Sequence, residues 1–369
     1  MKVIETGIVY ANPKPYLRTI HAFHPSIVDL GNQELLCGFS LAQAPEAVDY
    51  LGYQSRSIDG GKTWQFEDRT IPVNTVRASS HTVRYCKTSV GLVAFGGNFW
   101  RDDPEKGLFA NRENLGFVPM DLIMVRSQDK GKTWSWPEII VPPLDDKGFE
   151  ICHSIVELPD GSWIAPTSTQ RIAGREFNGK KALVLISKDK GASWKNYGIA
   201  FDGTEEGITH WEISVCSLDG KDLLAVSWPY QEATAAHLPT RFAVSHDGGH
   251  TFEPFGEIGI AGQTCKVLRL KDGKILLAYR RIDKPGLWAS LFDFNGSAWT
   301  LLQETPVWGS RLADSGMTGK AGGSDELSAL KFGYPQMLQL ESGEVFLVFW
   351  CFEDWSCCIR WAKIKIEGA

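Results

Sequence analysis

Short apolar runs, each broken by a glycine-containing turn, recur six times along the chain, at 26–39, 82–95, 154–166, 214–227, 264–279 and 336–349. The turns carry pairs such as Asp160 with Gly161, Asp219 with Gly220, and Asp272 with Gly273, which are hairpin signals. Val, Ile, Leu and aromatic residues fill the flanks, as strands buried on both faces require. Each run therefore predicts an antiparallel hairpin. Their spacing of about 50–70 residues matches one four-stranded blade plus its loops. No useful stretch of helical periodicity interrupts them. Strand-like alternation at 3–10 and 361–366 predicts that the two ends of the chain pair in one sheet, which removes two exposed edges. The predicted fold is all-β: a six-bladed β-propeller of four-stranded antiparallel blades, formed by residues 1–369 as a single domain.

A second pattern falls between the hairpins. Ser57, Asp59, Gly61, Thr63 and Trp64 follow the form S-x-D-x-G-x-[ST]-[WF], which recurs from Ser127 to Trp134, from Ser187 to Trp194 and from Ser245 to Phe252. A weaker copy runs from Asp293 through Gly296 to Trp299. This is the chemistry of a turn: the Asp accepts backbone N–H groups, the Gly supplies a positive φ, and the aromatic pins the hairpin onto its blade. These residues are read as structural and not catalytic.

With the strands of a blade named A to D from the axis outward, the repeated hairpin is A–B and the Asp-containing turn is C–D. Both turns share one face, so the starts of the A strands and the B–C loops share the other. His24, His81, His153, Glu212, Gln263 and Tyr334 lead into the six A strands there. Their convergence on an axial cavity is the expectation. The longest loops, 97–121 and 303–333, also fall on that face, and the second carries Gly316, Gly319, Gly322 and Gly323. Loops of this length inside a compact domain are usually functional or mobile.

Composition narrows the chemistry. A formal net charge of −6 argues against nucleic-acid binding, which needs clustered cations. No run of about 18 apolar residues predicts a membrane span. The start of the chain lacks the apolar stretch of a secretory signal, which points to a cytoplasmic protein, or a secreted or periplasmic one whose leader has been removed. Five of the eight cysteines, Cys37, Cys86, Cys152, Cys216 and Cys265, fall inside apolar runs and read as buried thiols; Cys357 and Cys358 are adjacent. No Cys or His spacing suggests a metal, and no cofactor is implied.

The repeated turn is the Asp-box, or BNR repeat, and with the hairpins it resembles the sialidase (neuraminidase) superfamily over nearly the whole chain. The resemblance implies a retaining glycoside hydrolase with a Tyr nucleophile and a carbohydrate substrate. The acid/base Asp lies eight residues before the first Asp-box Ser, which falls on Asp49. The Glu of an E-x-x-V-x-x-L pattern falls on Glu212, ahead of Val215 and Leu218. The Tyr ahead of an L-x-x-G segment falls on Tyr334, ahead of Leu340 and Gly343. A neutral phenol suits a substrate that carries its own carboxylate at the anomeric carbon, and the phenol needs a base beside it. The family's three carboxylate-binding arginines are absent: Phe23 takes the first place, the second lies at Ser227, Trp228 and Pro229, and the third lies between Pro285 and Trp288. A sugar other than sialic acid is therefore expected, held by His24, His81, His153, Gln263, Arg280 and the tryptophans Trp211 or Trp228. Two other classes stay open. One is a polysaccharide lyase acting on a uronate, with His or Tyr as base and Arg280 on the carboxylate. The other is a non-catalytic glycan-binding propeller.

Overall fold

A computed structural model describes residues 1–45, 47–72, 76–111, 116–177, 179–311 and 330–367. Most of the predicted 303–333 loop, including its four glycines, lies outside the described residues.

Strand β1 (Lys2–Tyr10) precedes the blades. Blade 1 comprises β2 (His21–Gly31), β3 (Glu34–Ala42), β4 (Leu51–Ser57) and β5 (Gln65–Arg69). Blade 2 takes β6 (Ser79–Thr88), β7 (Gly91–Trp100), β10 (Met120–Ser127) and β11 (Glu138–Ile140), with β8 (Phe109–Asn111) and β9 (Gly116–Phe117) as a small hairpin in its B–C loop. The A strand of blade 3 is split into β12 (Phe149–Ile151) and β13 (Val156–Glu157), followed by β14 (Trp163–Thr169), β15 (Lys181–Ser187) and β16 (Asn196–Asp202). Blade 4 holds β17 (Ile208–Ser217), β18 (Leu223–Gln231), the short β19 (Ala236–His237), β20 (Arg241–Ser245) and β21 (Gly256–Glu257). Blade 5 holds β22 (Gly262–Arg269), β23 (Ile275–Arg281), β24 (Leu287–Phe294) and β25 (Trp299–Trp308). Blade 6 is built from β26 (Phe332–Gln339), β27 (Val345–Glu353) and β28 (Ser356–Lys365), and β1 completes it as the outermost strand. The six-blade count and the closure by both ends are as the hydrophobic pattern predicts. No helix among the described residues is long and apolar enough to cross a membrane.

The apolar residues that give each strand its character are buried between blades. One core cluster fills each interface between neighbouring blades, for example Val83, Tyr85 and Ile123 of blade 2 against Leu36 of blade 1. The Asp-box aromatics join these clusters on the preceding blade. Trp64 packs on Phe346 of blade 6 and Trp194 on Phe95 of blade 2, while Trp134 packs on Tyr85 of its own blade and donates from Nε1 to Gln54 Oε1 of blade 1 at 3.1 Å. The aromatic thus locks one blade to the one before it as well as holding its own hairpin.

The turn chemistry repeats closely. In the second box Ser127 Oγ donates to Asp129 Oδ1 at 2.8 Å, Gly131 N donates to Ser127 Oγ at 2.8 Å, and Thr133 Oγ1 donates to Asp129 Oδ2 at 2.6 Å. The weaker fifth copy keeps the shape with Asn295, whose Oδ1 accepts from Ala298 N at 2.9 Å. The boxes abut the A–B turns: Gly60 N donates to Gln33 O at 2.9 Å, and Gly248 N to Lys221 O at 3.1 Å. They lie on the face away from the starts of the A strands. Asp129→Ala should therefore cost about 1 kcal/mol through its lost turn hydrogen bonds and leave kcat unchanged. Gly61→Ala should cost more, roughly 2–3 kcal/mol, because its φ is +93° and a Cβ would come within 2.4 Å of the buried Phe346 ring. Urea unfolding of the two variants checks both values. Loss of activity at unchanged stability would contradict the structural assignment.

Candidate functional site

In five blades the A strand starts earlier than the hydrophobic pattern implies, so His24, His81, Glu212, Gln263 and Tyr334 lie inside it, while His153 falls in the break between β12 and β13. In four blades the A–B register slips at these residues, between Phe23 and Ser26, Trp211 and Ser214, Gln263 and Lys266, and Gly333 and Gln336. The first residue of each slip has a left-handed backbone: His24 at φ +48°, Glu212 at +49°, Thr264 at +50° and Tyr334 at +55°. These are β-bulges, which re-aim a side chain at the cost of an unfavourable φ and cluster beside functional sites. The same device in four equivalent places turns His24, Glu212 and Tyr334 toward the axis. In blade 5 the bulge residue is Thr264, one place after Gln263.

Tyr334 is the centre of the cluster. It is buried. His153 stacks on its ring with centroids 5.3 Å apart, and His24 meets it edge-on at 4.9 Å. The Arg84 guanidinium lies 4.4 Å from the ring centroid, and its Nε donates to Tyr334 Oη at 3.1 Å. The phenol donates to Ile151 O at 3.0 Å. Arg84 is buried to 1% exposure and also donates to Cys152 O and Thr82 Oγ1, at 3.2 and 2.8 Å. His24 Nδ1 is hydrogen-bonded to the Tyr50 hydroxyl, and Gln336 Nε2 lies 2.6 Å from His153 Nδ1. Burial, helped by the charge of Arg84, pushes His24 well below the usual histidine range. Burial acts likewise on His153, with Lys266 and Arg84 adding to it. Both are neutral bases at neutral pH. Burial also raises the Tyr334 phenol well above its ordinary range, and Arg84 opposes that rise.

A second group holds the carboxylates. Glu212 Oε2 accepts from Trp228 Nε1 at 3.0 Å, and Glu150 Oε2 accepts from Glu212 N at 3.3 Å. Burial and the nearby Glu150 raise the Glu212 carboxyl to about 7, against the pull of Trp228, Arg280 and Arg84. Lys180 pairs with Glu150 at 3.6 Å, and its Nζ sits 3.0 Å above the Trp211 ring. Trp211 and Trp228 stack with centroids 5.9 Å apart. Gln263 accepts from Arg280 Nε at 2.9 Å and lies 3.0 Å from His237 Nε2, while Arg280 Nη1 donates to Phe332 O at 2.8 Å, beside Tyr334. Tyr334 and Glu212 lie close enough for the charge of Glu212 to raise the phenol, but the hydroxyl is directly bonded to Arg84 and Ile151.

The titration of Glu212 has a consequence for stability. Its folded value lies above the ordinary carboxyl range, so its contribution is fully present at low pH and is lost as pH rises toward and through about 7. Glu212→Gln should thus gain on the unchanged protein above neutrality, on the order of 1–2 kcal/mol, and not below pH 4. Melting curves across pH 4–9 check this; a gain independent of pH would contradict it.

Two predicted residues, His81 and Asp49, have no side-chain hydrogen bond to the cluster among the described residues. His81 is on β6, which has no bulge, so the simple alternation sends its ring toward Gly52 and Val83 in the interface with blade 1. Asp49 stands in the B–C loop of blade 1, where its Oδ1 accepts from Gln43 N at 3.2 Å. Of the three positions where arginine is absent, Phe23 is core, stacked on Tyr50 at 6.0 Å. Trp228 lies against Glu212, and Trp288 lies under Arg281 at 5.1 Å. Arg281 itself is tied to Asp283 and Glu304 at the rim. Sequence reasoning missed Arg84, Glu150, Lys180 and Tyr50. Arg84 did leave a signal, as a charge between Val83 and Tyr85 inside the apolar run 82–95.

Among the described residues one group of possible metal ligands forms, away from this cluster: Cys351, Glu353 and Cys358, with ligand atoms within 4.8 Å. The Glu353 carboxylate there is taken by Arg360 Nε at 2.9 Å from both oxygens. All eight cysteines are buried free thiols.

The model of the BNR repeat-like domain matches residues 103–347. The chain belongs to this family. Among its relatives, a sialidase of Bacteroides fragilis (strain YCH46) is 29% identical over 192 residues, covering 46% of this chain and 33% of the relative, so the chain spans about a third of that protein's length. A solved protein of unknown function from Dyadobacter fermentans DSM 18053 matches along 99% of both chains at a TM-score of 0.72 and 21% identity. The NanB sialidase of Streptococcus pneumoniae matches at a TM-score of 0.64 and 13% identity, over 98% of this chain and 70% of that one. The sialidase of Trypanosoma rangeli matches at 0.65 and 13%, over 93% and 55%. The six-bladed fold, the BNR repeats and these relatives put the chain in the sialidase superfamily.

Proposed function

We propose that the protein is a glycoside hydrolase of the sialidase type, acting on a glycan with Tyr334 as nucleophile, Glu212 as its base and Asp49 as the acid. The observation that carries this is the placement of Tyr334 and Glu212 on equivalent left-handed bulges, near enough for the charge of Glu212 to act on the phenol, with Arg84 on the phenol oxygen. Arg84 stabilises the phenolate that must form during attack. Glu212, raised toward neutrality, is a stronger base for the phenol proton than an ordinary carboxylate, and Arg84 opposes the rise that burial imposes on the phenol. Attack of Tyr334 Oη on the anomeric carbon forms a glycosyl–tyrosine bond as the leaving oxygen takes a proton from Asp49. Water, deprotonated by Asp49, then breaks that bond with retention of configuration.

The substrate chemistry follows from what surrounds the pair. Trp211 and Trp228 offer stacked faces for a sugar ring. Arg84, Arg280 and Lys180 supply positive charge, though each is already bonded within the protein. With arginine missing from the three family positions, free sialic acid should bind weakly, since its carboxylate would lose water without bidentate partners.

A lyase reading rests on a different observation: two neutral histidines, His24 and His153, flank Tyr334 beside a buried arginine. A panel of aryl glycosides and uronate-containing polysaccharides separates the two. Hydrolysis should release sugars without ultraviolet absorbance, and kcat/KM should rise with pH through about 7 as Glu212 ionises. Unsaturated products absorbing in the near ultraviolet would replace the hydrolase with a lyase.

A further inference from the structure

The central channel has a second mouth, on the face that carries the A–B turns and the Asp-boxes. A cavity of about 390 Å³ opens there, lined by Ile27, Cys86, Ser154, Lys266, Gln336 and Met337 among others. Lys266, on β22, is only 9% exposed. Among the described residues no acceptor takes a hydrogen bond from its Nζ and no carboxylate pairs with it. The ionisable groups beside it include the buried thiols of Cys86 and Cys216, which burial raises and so keeps uncharged at neutral pH.

We propose that this rear cavity is a binding site for a small oxyanion such as inorganic phosphate, held by Lys266 and the Ser154 hydroxyl. A buried ammonium with three unused donors is costly unless something accepts from it. The channel as a whole carries the same imbalance. Arg84, Lys180, Lys266 and Arg280 are buried along it, against Glu150 and the half-buried Glu212. Lys180 is matched by Glu150 at 3.6 Å, and Arg84 and Arg280 donate to oxygens of the protein. Lys180 Nζ makes no hydrogen bond but is matched in charge by Glu150, whereas Lys266 alone of the four has neither a hydrogen-bond acceptor nor a carboxylate partner among the described residues. The mouth is mixed in charge: Lys87 lines it, Asp29 Oδ1 is held by Gly31 N at 2.8 Å, and Glu341 is exposed on the rim. A compact anion can pass these groups and reach Lys266, and the cavity has room for a tetrahedral one. Burial pushes the Lys266 ammonium down to about 8, which still leaves it charged at neutral pH.

Calorimetric titration of the whole chain with inorganic phosphate at constant ionic strength tests this. Saturable one-site binding is expected, at least about tenfold weaker in Lys266→Met and near the unchanged value in Lys266→Arg. Tyr334→Phe, at the other mouth, should bind phosphate as before. Chemical labelling keeps the test independent of how the variants fold: in the unchanged protein, phosphate should slow acetylation of Lys266 about tenfold, read by mass spectrometry of its peptide. Absence of saturable binding, equal binding by Lys266→Met, or acetylation indifferent to phosphate would overturn the proposal.

Discussion

Tyr334→Phe should leave glycan binding intact and lower turnover by roughly three orders of magnitude or more. The substitution removes one oxygen and keeps the ring that His153 stacks on and His24 meets edge-on. The fold should tolerate it, because the lost bonds are one from Arg84 and one to Ile151 O, and Arg84 keeps Cys152 O and Thr82 Oγ1. A melting temperature near the unchanged value together with lost turnover therefore isolates the chemistry. Binding is measured with the slow variant itself, by titrating the glycan that the unchanged protein cleaves. A Tyr334→Phe protein with full activity would move the base to His24 or His153 and the reaction to elimination.

Arg84→Met should have the second largest effect, and on two readouts at once. It removes the cation that touches the phenol oxygen, which should lower kcat by about 10²–10³ with a smaller change in KM. It also leaves the Cys152 carbonyl without its donor in a buried place, at a cost of about 1–3 kcal/mol. Arg84→Lys separates the two roles. An ammonium keeps the charge near the ring but cannot reach several acceptors as a planar fork does, so it should restore part of the activity. If Arg84→Met lowers stability alone and leaves kcat intact, Arg84 is a structural post and no part of the reaction.

Much of the architecture was legible because its signals are local. A glycine turn between apolar runs makes a hairpin wherever it stands, and the Asp-box closes on itself within a few residues through Asp59, Ser57 and Thr63. Closure by both ends was legible from the alternation of β1 and β28, which pair antiparallel from Lys2 with Lys365 to Tyr10 with Ile359, with two shifts of register on the way. The site was legible only in part. Glu212, Tyr334 and His24 were placed by their position at the apolar runs, yet what turns them to the axis is a bulge, a shift of register that no local propensity marks. That is why Gln263 was chosen over Thr264, and why His81, on an unbulged strand, faces the blade interface. Arg84, Glu150, Lys180 and Lys266 were not singled out, because a charge inside an apolar run declares a burial problem without naming its partner; Arg84 finds Cys152 and Tyr334 on other blades, and Lys180 finds Glu150 thirty residues back along the chain.

The account rests centrally on a covalent bond to Tyr334. Activated fluoro-sugars, whose ring fluorine slows both steps while a good leaving group spares the first, should trap it. Intact mass after exposure to a panel of such sugars should rise by one sugar, and peptide mapping should put the addition on Tyr334, absent in Tyr334→Phe. Turnover of the matching unfluorinated glycoside with no such adduct, or an adduct on another residue, would contradict the account.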